Sequence, residues 1–444
     1  MIIKNINLTN FRNLQDVSIP FGRKLTILIG RNGVGKTNLL TAITQSLSFI
    51  FSKKGGTKQY DFIASSDRKV KGFKITDATY SQNKKDYLYP IGIKAIAELQ
   101  DGTSIEWAMV RKSAAKGLSD SFFHSARDLF WEKHQSINSL PILAYFSDSY
   151  PHILSTLGQK MQSMLDAPYP LPQNVAYYKW DEEQNCQQIW LQYFRKQWKN
   201  AKWNQAADSQ NFVDEINRIM IEYTSDLDTC GAIPEFRIKE LTVSPRGSED
   251  VVEVVFDNGD IIPFNQLPQG YNRILSIVFD LACRSYMLGK SRNAQGICII
   301  DEIELHLHPR LAQEALTRLM KVFPEMQFVV STHSPLVVSN IYQDDQDDLI
   351  HRDTIIYRLS KNSMGMFTYE PLHDTYGLDV NTMLESHMET PYIESDLKTL
   401  RDAFVYWKEG GNDEKAAKVL DLIGRKCSKQ SSFYKKLEEY HGIY

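Results

Sequence analysis

No apolar stretch in this sequence approaches the roughly 20 residues needed to cross a bilayer; the runs at residues 25–29 and 296–300 are short and bounded by polar neighbours. A membrane-spanning helix is therefore not expected. Cysteine is scarce and scattered: Cys186, Cys230, Cys283, Cys298 and Cys427 stand singly, with no CxxC pair or metal-ligand spacing. That pattern excludes a disulfide framework and predicts structural thiols in a reducing compartment. The formal net charge is only −3, which excludes a histone-like, tail-driven nucleic-acid binder while leaving room for a local basic groove. No internal repeat, heptad run or low-complexity tract is present, so solenoids and long coiled coils lose support. The start, Met1-Ile2-Ile3-Lys4-Asn5, lacks the basic-then-apolar layout of a signal peptide, and a cytoplasmic protein is expected.

What is present is the composition of an ordinary globular protein, 42% hydrophobic and 24% charged. The length predicts two or three structural units of roughly 100–200 residues each, with one inserted in another. Residues 2–8 and 16–20 alternate as half-buried strands around an Asn10-Phe11-Arg12-Asn13 turn. Lys24-Leu25-Thr26-Ile27-Leu28-Ile29 is nearly continuous in apolar character, as expected of a strand buried on both faces of a mostly parallel sheet. A helix is predicted from Lys36 to about Phe51, and residues 51–86 read as a surface loop region. Residues 91–99 and 103–110, joined by Asp101-Gly102, predict an antiparallel side sheet.

After a strand at residues 140–145, residues 150–233 carry aromatic and amide residues at helical spacing and predict a helical insertion. Strands return at 236–243 and 251–256, followed by an Asn258-Gly259 turn and a helix beginning near Tyr271. Further core strands are expected at 297–300, 327–331 and 354–358, and the chain beyond Tyr376 reads as helical, broken at Glu409-Gly410-Gly411-Asn412. The expected division is 1–150 and 235–375 for the two parts of one α/β unit, 151–234 for the insertion and 376–444 for a C-terminal helical segment.

Gly30-Arg31-Asn32-Gly33-Val34-Gly35-Lys36-Thr37 fits G-x-x-x-x-G-K-[ST] between a buried strand and a helix. In that setting glycines let backbone N–H groups curl around phosphate oxygens, the helix start adds positive dipole, Lys36 reaches the β and γ phosphates, and Thr37 ligates Mg²⁺. A glycine-rich turn that binds nothing is the bland alternative, and the complete pattern in its strand–turn–helix setting argues against it. Residues 296–302 form an apolar strand ending in Asp301-Glu302; Asp301 is expected to face the metal and Glu302 the attacking water. A third apolar strand runs into Thr332-His333-Ser334-Pro335, which puts the His333 imidazole at the sheet edge where ligands of open α/β sheets bind.

Together, Asn10-Phe11-Arg12, the phosphate loop, Leu267-Pro268-Gln269-Gly270-Tyr271, the run from Ile300 through Asp301, Glu302, Glu304, His306 and His308 to Pro309, and Ser331-Thr332-His333-Ser334-Pro335 resemble the RecF/SMC-like branch of ABC ATPases. The likeness covers roughly residues 1–50 and 235–375, and it is nearest to the ATPase subunits of the Septu (PtuA-type) and PARIS (AriA-type) anti-phage systems. The resemblance implies an ABC-type P-loop head, an α/β fold with a mixed, mostly parallel sheet and an antiparallel side sheet. It implies ATP and Mg²⁺ as cofactors, with Arg12, Asn38 and the loop in cis and Gly270 meeting the γ-phosphate from a second head; Gln269, like Pro268, departs from the family pattern, and the hydroxyl contact of the family is expected to be lost there or replaced by Gln269 or Asn265. Implied partners are a second copy, in a homodimer or higher oligomer, and a separate nuclease of HNH or Toprim type. Pro268 stands where the family has a serine that helps hold the γ-phosphate, so slow hydrolysis is expected.

A DNA-repair or recombination ATPase that clamps DNA is the alternative function. Trp190, Tyr193, Phe194, Arg195, Lys196, Trp198, Lys199, Lys202 and Trp203 interleave aromatics and cations; an amphipathic packing helix accounts for them better than a nucleic-acid surface. His306 and His308 alternate with leucines and lack an evident third ligand, which favours a subunit-contacting loop over Zn²⁺. Glu385, Glu389 and Glu394 read as helix-surface charges, not a Toprim carboxylate set.

Overall fold

The computed structural model describes residues 1–52, 70–117, 123–135, 140–151, 157–181, 187–225, 236–247, 249–290, 292–343, 349, 352–388 and 395–440. Cys186, Cys230, Glu389, Glu394 and much of the loop read at 51–86 lie outside the described residues. Two compact units are present, Met1–Leu378 and Asp379–Tyr444.

The first unit opens with β1 (Ile2–Thr9), β2 (Val17–Pro20) and β3 (Leu25–Gly30), then α1 (Lys36–Leu47) and a tight 3₁₀ turn at Ser48–Phe51. A small ribbon of β4 (Tyr80–Ser81) and β5 (Asp86–Tyr87) precedes β6 (Ile91–Glu98), β7 (Ser104–Arg111), α2 (His124–Gln135) and β8 (Ile142–Phe146). Next come α3 (Gln159–Asp166), α4 (Gln188–Asn204) and α5 (Ala207–Thr224). The chain continues through β9 (Ile238–Arg246), β10 (Glu249–Phe256), β11 (Ile261–Pro263), α6 (Gln269–Gly289), β12 (Gly296–Ile300), α7 (Pro309–Val322), β13 (Met326–Ser331), α8 (Pro335–Ser339), β14 (Thr354–Lys361) and β15 (Phe367–Leu372).

The main sheet has the order β15-β14-β3-β13-β12-β8. Every pairing in it is parallel except the β14–β15 edge, so the sheet is mixed and mostly parallel, as the resemblance implies. β8, β12 and β13 are buried at every position, the burial that their near-continuous apolar runs demand. An antiparallel side sheet, β2-β1-β6-β7, lies against it. There β6 alternates buried and more exposed residues, because a sheet with one solvated face needs apolar side chains only at every second position. Gln327, fully buried in β13, stitches the two sheets: its Oε1 accepts from Ile3 N at 2.8 Å, and its Nε2 donates to Ile3 O at 2.8 Å and Gly22 O at 2.7 Å.

α6 is buried along most of its length, with the buried polar residues Asn272, Arg273, Ser276, Asp280 and Arg284 each finding partners. Trp190 of α4 donates from Nε1 to Asp280 Oδ2 at 2.7 Å. Asp280 also pairs with Arg284, whose guanidinium reaches the carbonyls of Ala176 and Tyr178. Gln187 reaches Ser276 Oγ at 2.5 Å, so α4 and the turn at residues 176–178 are bonded to α6 at several levels.

In α4, Trp190, Tyr193 and Phe194 are buried. Arg195 donates to Asp250 O at 2.7 Å, Lys196 to Leu165 O at 3.0 Å, and Lys199 pairs with Asp250. The aromatic and cationic alternation is thus chiefly packing, although Trp203 remains 67% exposed beside Lys199.

The second unit contains α9 (Val380–Thr382), α10 (Ser395–Glu409), α11 (Asp413–Cys427) and α12 (Ser432–Glu438). Its core is Phe404, Ala416, Ile423, Tyr434 and Leu437. Asn412 caps α11 by accepting from Lys415 N, which places the chain break read at residues 409–412 at a helix start. Among the described residues of the protein, no helix is long and apolar enough to cross a membrane.

Candidate nucleotide-binding site

The parallel strands bring their carboxyl ends to one edge, and the motif residues collect there. β3 delivers residues 30–37, β12 delivers Asp301 and Glu302, and β13 delivers Ser331, Thr332 and His333. α1 begins at Lys36 with Gly35 as its N-cap and no side-chain cap. Its first N–H groups are therefore not spent on a capping side chain, the condition under which a helix start can receive an anion. Gly35 has φ 121°, and a Cβ there would come within 2.7 Å of the Asn13 side chain. Asn13 in turn donates to Val34 O at 2.7 Å and accepts from Asn38 Nδ2 at 2.7 Å. Arg12 bonds Asn38 Oδ1 at 2.9 Å and Asp77 Oδ1 at 3.1 Å, which fixes the guanidinium beside α1.

Lys36 Nζ donates to Gly30 O at 2.8 Å and Arg31 O at 3.3 Å, so its charge lies within the loop. Burial pulls the Lys36 pKa down, opposed by Asp301, Glu302 and Glu304. Thr37 Oγ1 donates to Asp301 Oδ2 at 2.8 Å, and Ser331 Oγ donates to Asp301 Oδ1. A hydroxyl and a carboxylate oxygen from distant parts of the sequence thereby converge, a hard-oxygen donor pair of the kind Mg²⁺ takes beside phosphates. Arg31 and Asn32 are exposed in the loop, while Val34 is buried beneath it.

Glu302 adopts φ 51°, a left-handed conformation that costs a side-chain-bearing residue roughly 1–2 kcal/mol. Its N–H donates to Ser331 Oγ at 2.9 Å. Burial raises its pKa, reinforced by Asp301, Glu304 and Asp148. His333 Nε2 lies 3.9 Å from Glu302 Oε1, and burial followed by the Lys36 charge lowers the imidazole pKa. A carboxylate made more basic thus faces an imidazole held toward its neutral form, an arrangement suited to orienting and deprotonating a water.

Gln269 and Gly270 stand with the turn that follows the acidic strand. Gln269 Nε2 lies 2.9 Å from His306 Nε2, and a Cβ on Gly270 would meet His306 O at 2.4 Å. The helix starts at Gln269, slightly before the start read near Tyr271, with Pro268 as its N-cap. His308 caps α7 through Arg310 N. The two histidines therefore have different partners, and no group of three or more metal-ligating side chains occurs among the described residues.

Local spacing assigns no site chemistry to Asn13, Asp148, Arg273 or Ser331. Arg273, buried on α6, donates to the carbonyls of Ser147, Asp148 and Tyr150 at 3.0, 2.9 and 2.7 Å and of Asp301 at 2.7 Å. It ties the start of α6 to the ends of β8 and β12. The available signal was its place one helical turn beyond Gly270 in a mostly apolar helix, where a charge needs a reason.

The AAA ATPase domain family matches residues 1–338. The chain belongs to that family. The Retron Vc95 probable ATPase of Vibrio cholerae serotype O1 biovar El Tor is 23% identical over 387 residues, covering 76% of this chain and 71% of that protein. The Septu protein PtuA of Bacillus mycoides (strain KBAB4) is 33% identical over 87 residues, 20% of this chain and 12% of its own length. A solved SmcHead bound to the C-winged helix domain of ScpA has a TM-score of 0.47 and 14% identity, with 84% of this chain and 98% of that one covered.

Proposed function

We propose that this ATPase-family chain is the nucleotide-driven regulatory subunit of an anti-phage complex whose effector nuclease is a separate protein. One head holds ATP through residues 30–37, Arg12 and Asn38, and Gln269 and Gly270 of a second copy complete the site. The observation that carries the ATPase part is the meeting of Lys36, Thr37, Asp301, Glu302 and His333 at one sheet edge. The defence part is supported by the run from Asp301 to Pro309 and by the similarity to a retron ATPase and a Septu protein.

Thr37 and Asp301 are the residues that would hold Mg²⁺, which supplies charge neutralisation at phosphate oxygens. Lys36 supplies positive charge to the β and γ phosphates. Glu302, raised in pKa, takes the proton of the attacking water, and His333 in its neutral form orients that water. Because Pro268 offers no hydroxyl at the tip of α6, closure of a second head relies on backbone N–H groups and the Gln269 amide, and turnover is slow.

Phosphate release with Mg²⁺ and ATP tests this reading. Lys36→Ala is expected to lose nucleotide binding, whereas Glu302→Gln is expected to keep binding and lose about 100-fold or more in hydrolysis. With ATP, the Glu302→Gln protein should accumulate as a dimer by light scattering. Phosphate release at the unmodified rate by Glu302→Gln would remove the assigned base.

A further inference from the structure

We infer that Glu304 is a positioning residue of this site: its carboxylate clamps the Thr332–His333 peptide and thereby sets the His333 imidazole against Glu302. The inference rests on the roles proposed above for Glu302 and His333, and it assigns a third carboxylate to the hydrolytic machinery.

The turn after β12 and the turn after β13 run side by side because the two strands pair in parallel, Ile300 beside Val330. Ile303 N donates to Ser331 O at 3.3 Å, and Glu302 N donates to Ser331 Oγ at 2.9 Å. Glu304 then spends both of its oxygens on consecutive residues of the neighbouring turn. Oε2 accepts from the Thr332 hydroxyl at 2.7 Å, and Oε1 accepts from the His333 backbone N–H at 2.5 Å. Thr332 is fully buried, and its hydroxyl oxygen also accepts from Ser334 N at 3.0 Å. The chain of bonds Glu304, Thr332, Ser334 therefore closes the turn that carries His333.

Residue type matters here. A carboxylate can accept on both oxygens, and bonds to an ionised acceptor are roughly twice as strong as neutral ones. A glutamine offers one accepting oxygen and so retains only one of the two bonds. An aspartate is one methylene shorter and does not span both donors from the same backbone position. The His333 side chain is itself 32% exposed, so packing alone does not hold it, and the position of its peptide fixes where the ring can reach.

The test uses the full chain in four forms, unmodified, Glu304→Ala, His333→Ala and the double variant, with ATP hydrolysis and amide hydrogen exchange as readouts. Glu304→Ala is expected to lower kcat by about 10- to 100-fold with KM changed less than about threefold. The double variant should be no slower than His333→Ala alone, since a residue acting through another is non-additive with it. The His333 amide should exchange at least about tenfold faster in Glu304→Ala. Additive losses, or unchanged His333 exchange, overturn the clamp. If the unmodified chain releases no phosphate, the ATPase reading fails and the exchange arm alone decides Glu304. Should Glu304→Ala fail to fold, Glu304→Gln, which lacks one of the two Glu304 bonds, and Thr332→Val, which lacks the other together with the bond from Ser334 N, give the same comparison with smaller losses.

Discussion

His134 has little room for a second proton. Its ring is buried, packs 4.2 Å from the Phe130 ring, and places Nδ1 2.7 Å from the Phe130 carbonyl oxygen. That carbonyl accepts a hydrogen bond from Nδ1–H and so sets which nitrogen of the neutral ring carries the proton. Burial lowers the His134 pKa, with the Phe130 carbonyl and Asp101 opposing and the N-terminal amine adding to the fall. The unfolded chain binds a proton near 6.5 while the folded chain does not, so the unfolded state gains protons first as the solution acidifies. Above about pH 6.5 the group adds no pH dependence; below it, stability falls until the depressed folded pKa is passed. His134→Gln keeps an N–H for the Phe130 carbonyl and cannot titrate. Between pH 7.5 and 5.5 the unmodified protein should therefore lose roughly 1–3 °C more in Tm than the variant, and equal losses would show that His134 is protonated without cost. The same lesson applies at the candidate site, where Gly35, Asn13 and Asn38 lock the loop through short contacts that no single residue type announces.

α6 is the element through which α4 and the candidate site share a support, Arg273 at one end and the Asp280–Arg284 pair further along. Removing one member of a buried pair strands the other charge and costs about 3–5 kcal/mol, whereas Trp190→Phe removes one donor to a carboxylate that Arg284 still holds and costs about 1–3 kcal/mol. Asp280→Ala should therefore melt lower than Trp190→Phe, and replacing Asp280 and Arg284 together by leucine and methionine should recover much of the loss. A double variant no more stable than Asp280→Ala would mean that the pair does something other than satisfy itself. Element by element, legibility follows burial. β3, β12 and β13 are readable because strands covered on both faces are nearly continuous in apolar residues. β15 was not, because it is an exposed edge with one buried position, and α2 was not, because its polar sequence forms a helix by packing on β7 and the turn after α1. Motif residues were legible from local spacing. Ser331, Asp148, Arg273 and the Glu304 clamp were not assigned, since their chemistry depends on which strand lies next to which.

At the scale of the whole molecule, the division after Leu378 separates two different kinds of stability. The Met1–Leu378 unit holds every residue of the candidate site and a core built on the six-stranded sheet. The Asp379–Tyr444 unit has its own small core, Phe404, Ala416, Ile423, Tyr434 and Leu437, with Trp407 covered by Lys415 at 3.9 Å from its ring. A core of that size yields little surplus over chain entropy, so such a unit adds little to the stability of the head. Ending the chain at Leu378 should accordingly leave nucleotide affinity within about threefold and the head's melting transition nearly in place, on the general ground that units with separate cores unfold separately. The same truncation should lower the oligomer mass of the Glu302→Gln protein with ATP, or its capture of a nuclease subunit. Analytical ultracentrifugation of the truncated and full chains measures the first, and co-purification with the partner measures the second. If both remain unchanged while ATP binding collapses, the C-terminal helices belong to the nucleotide site and not to assembly.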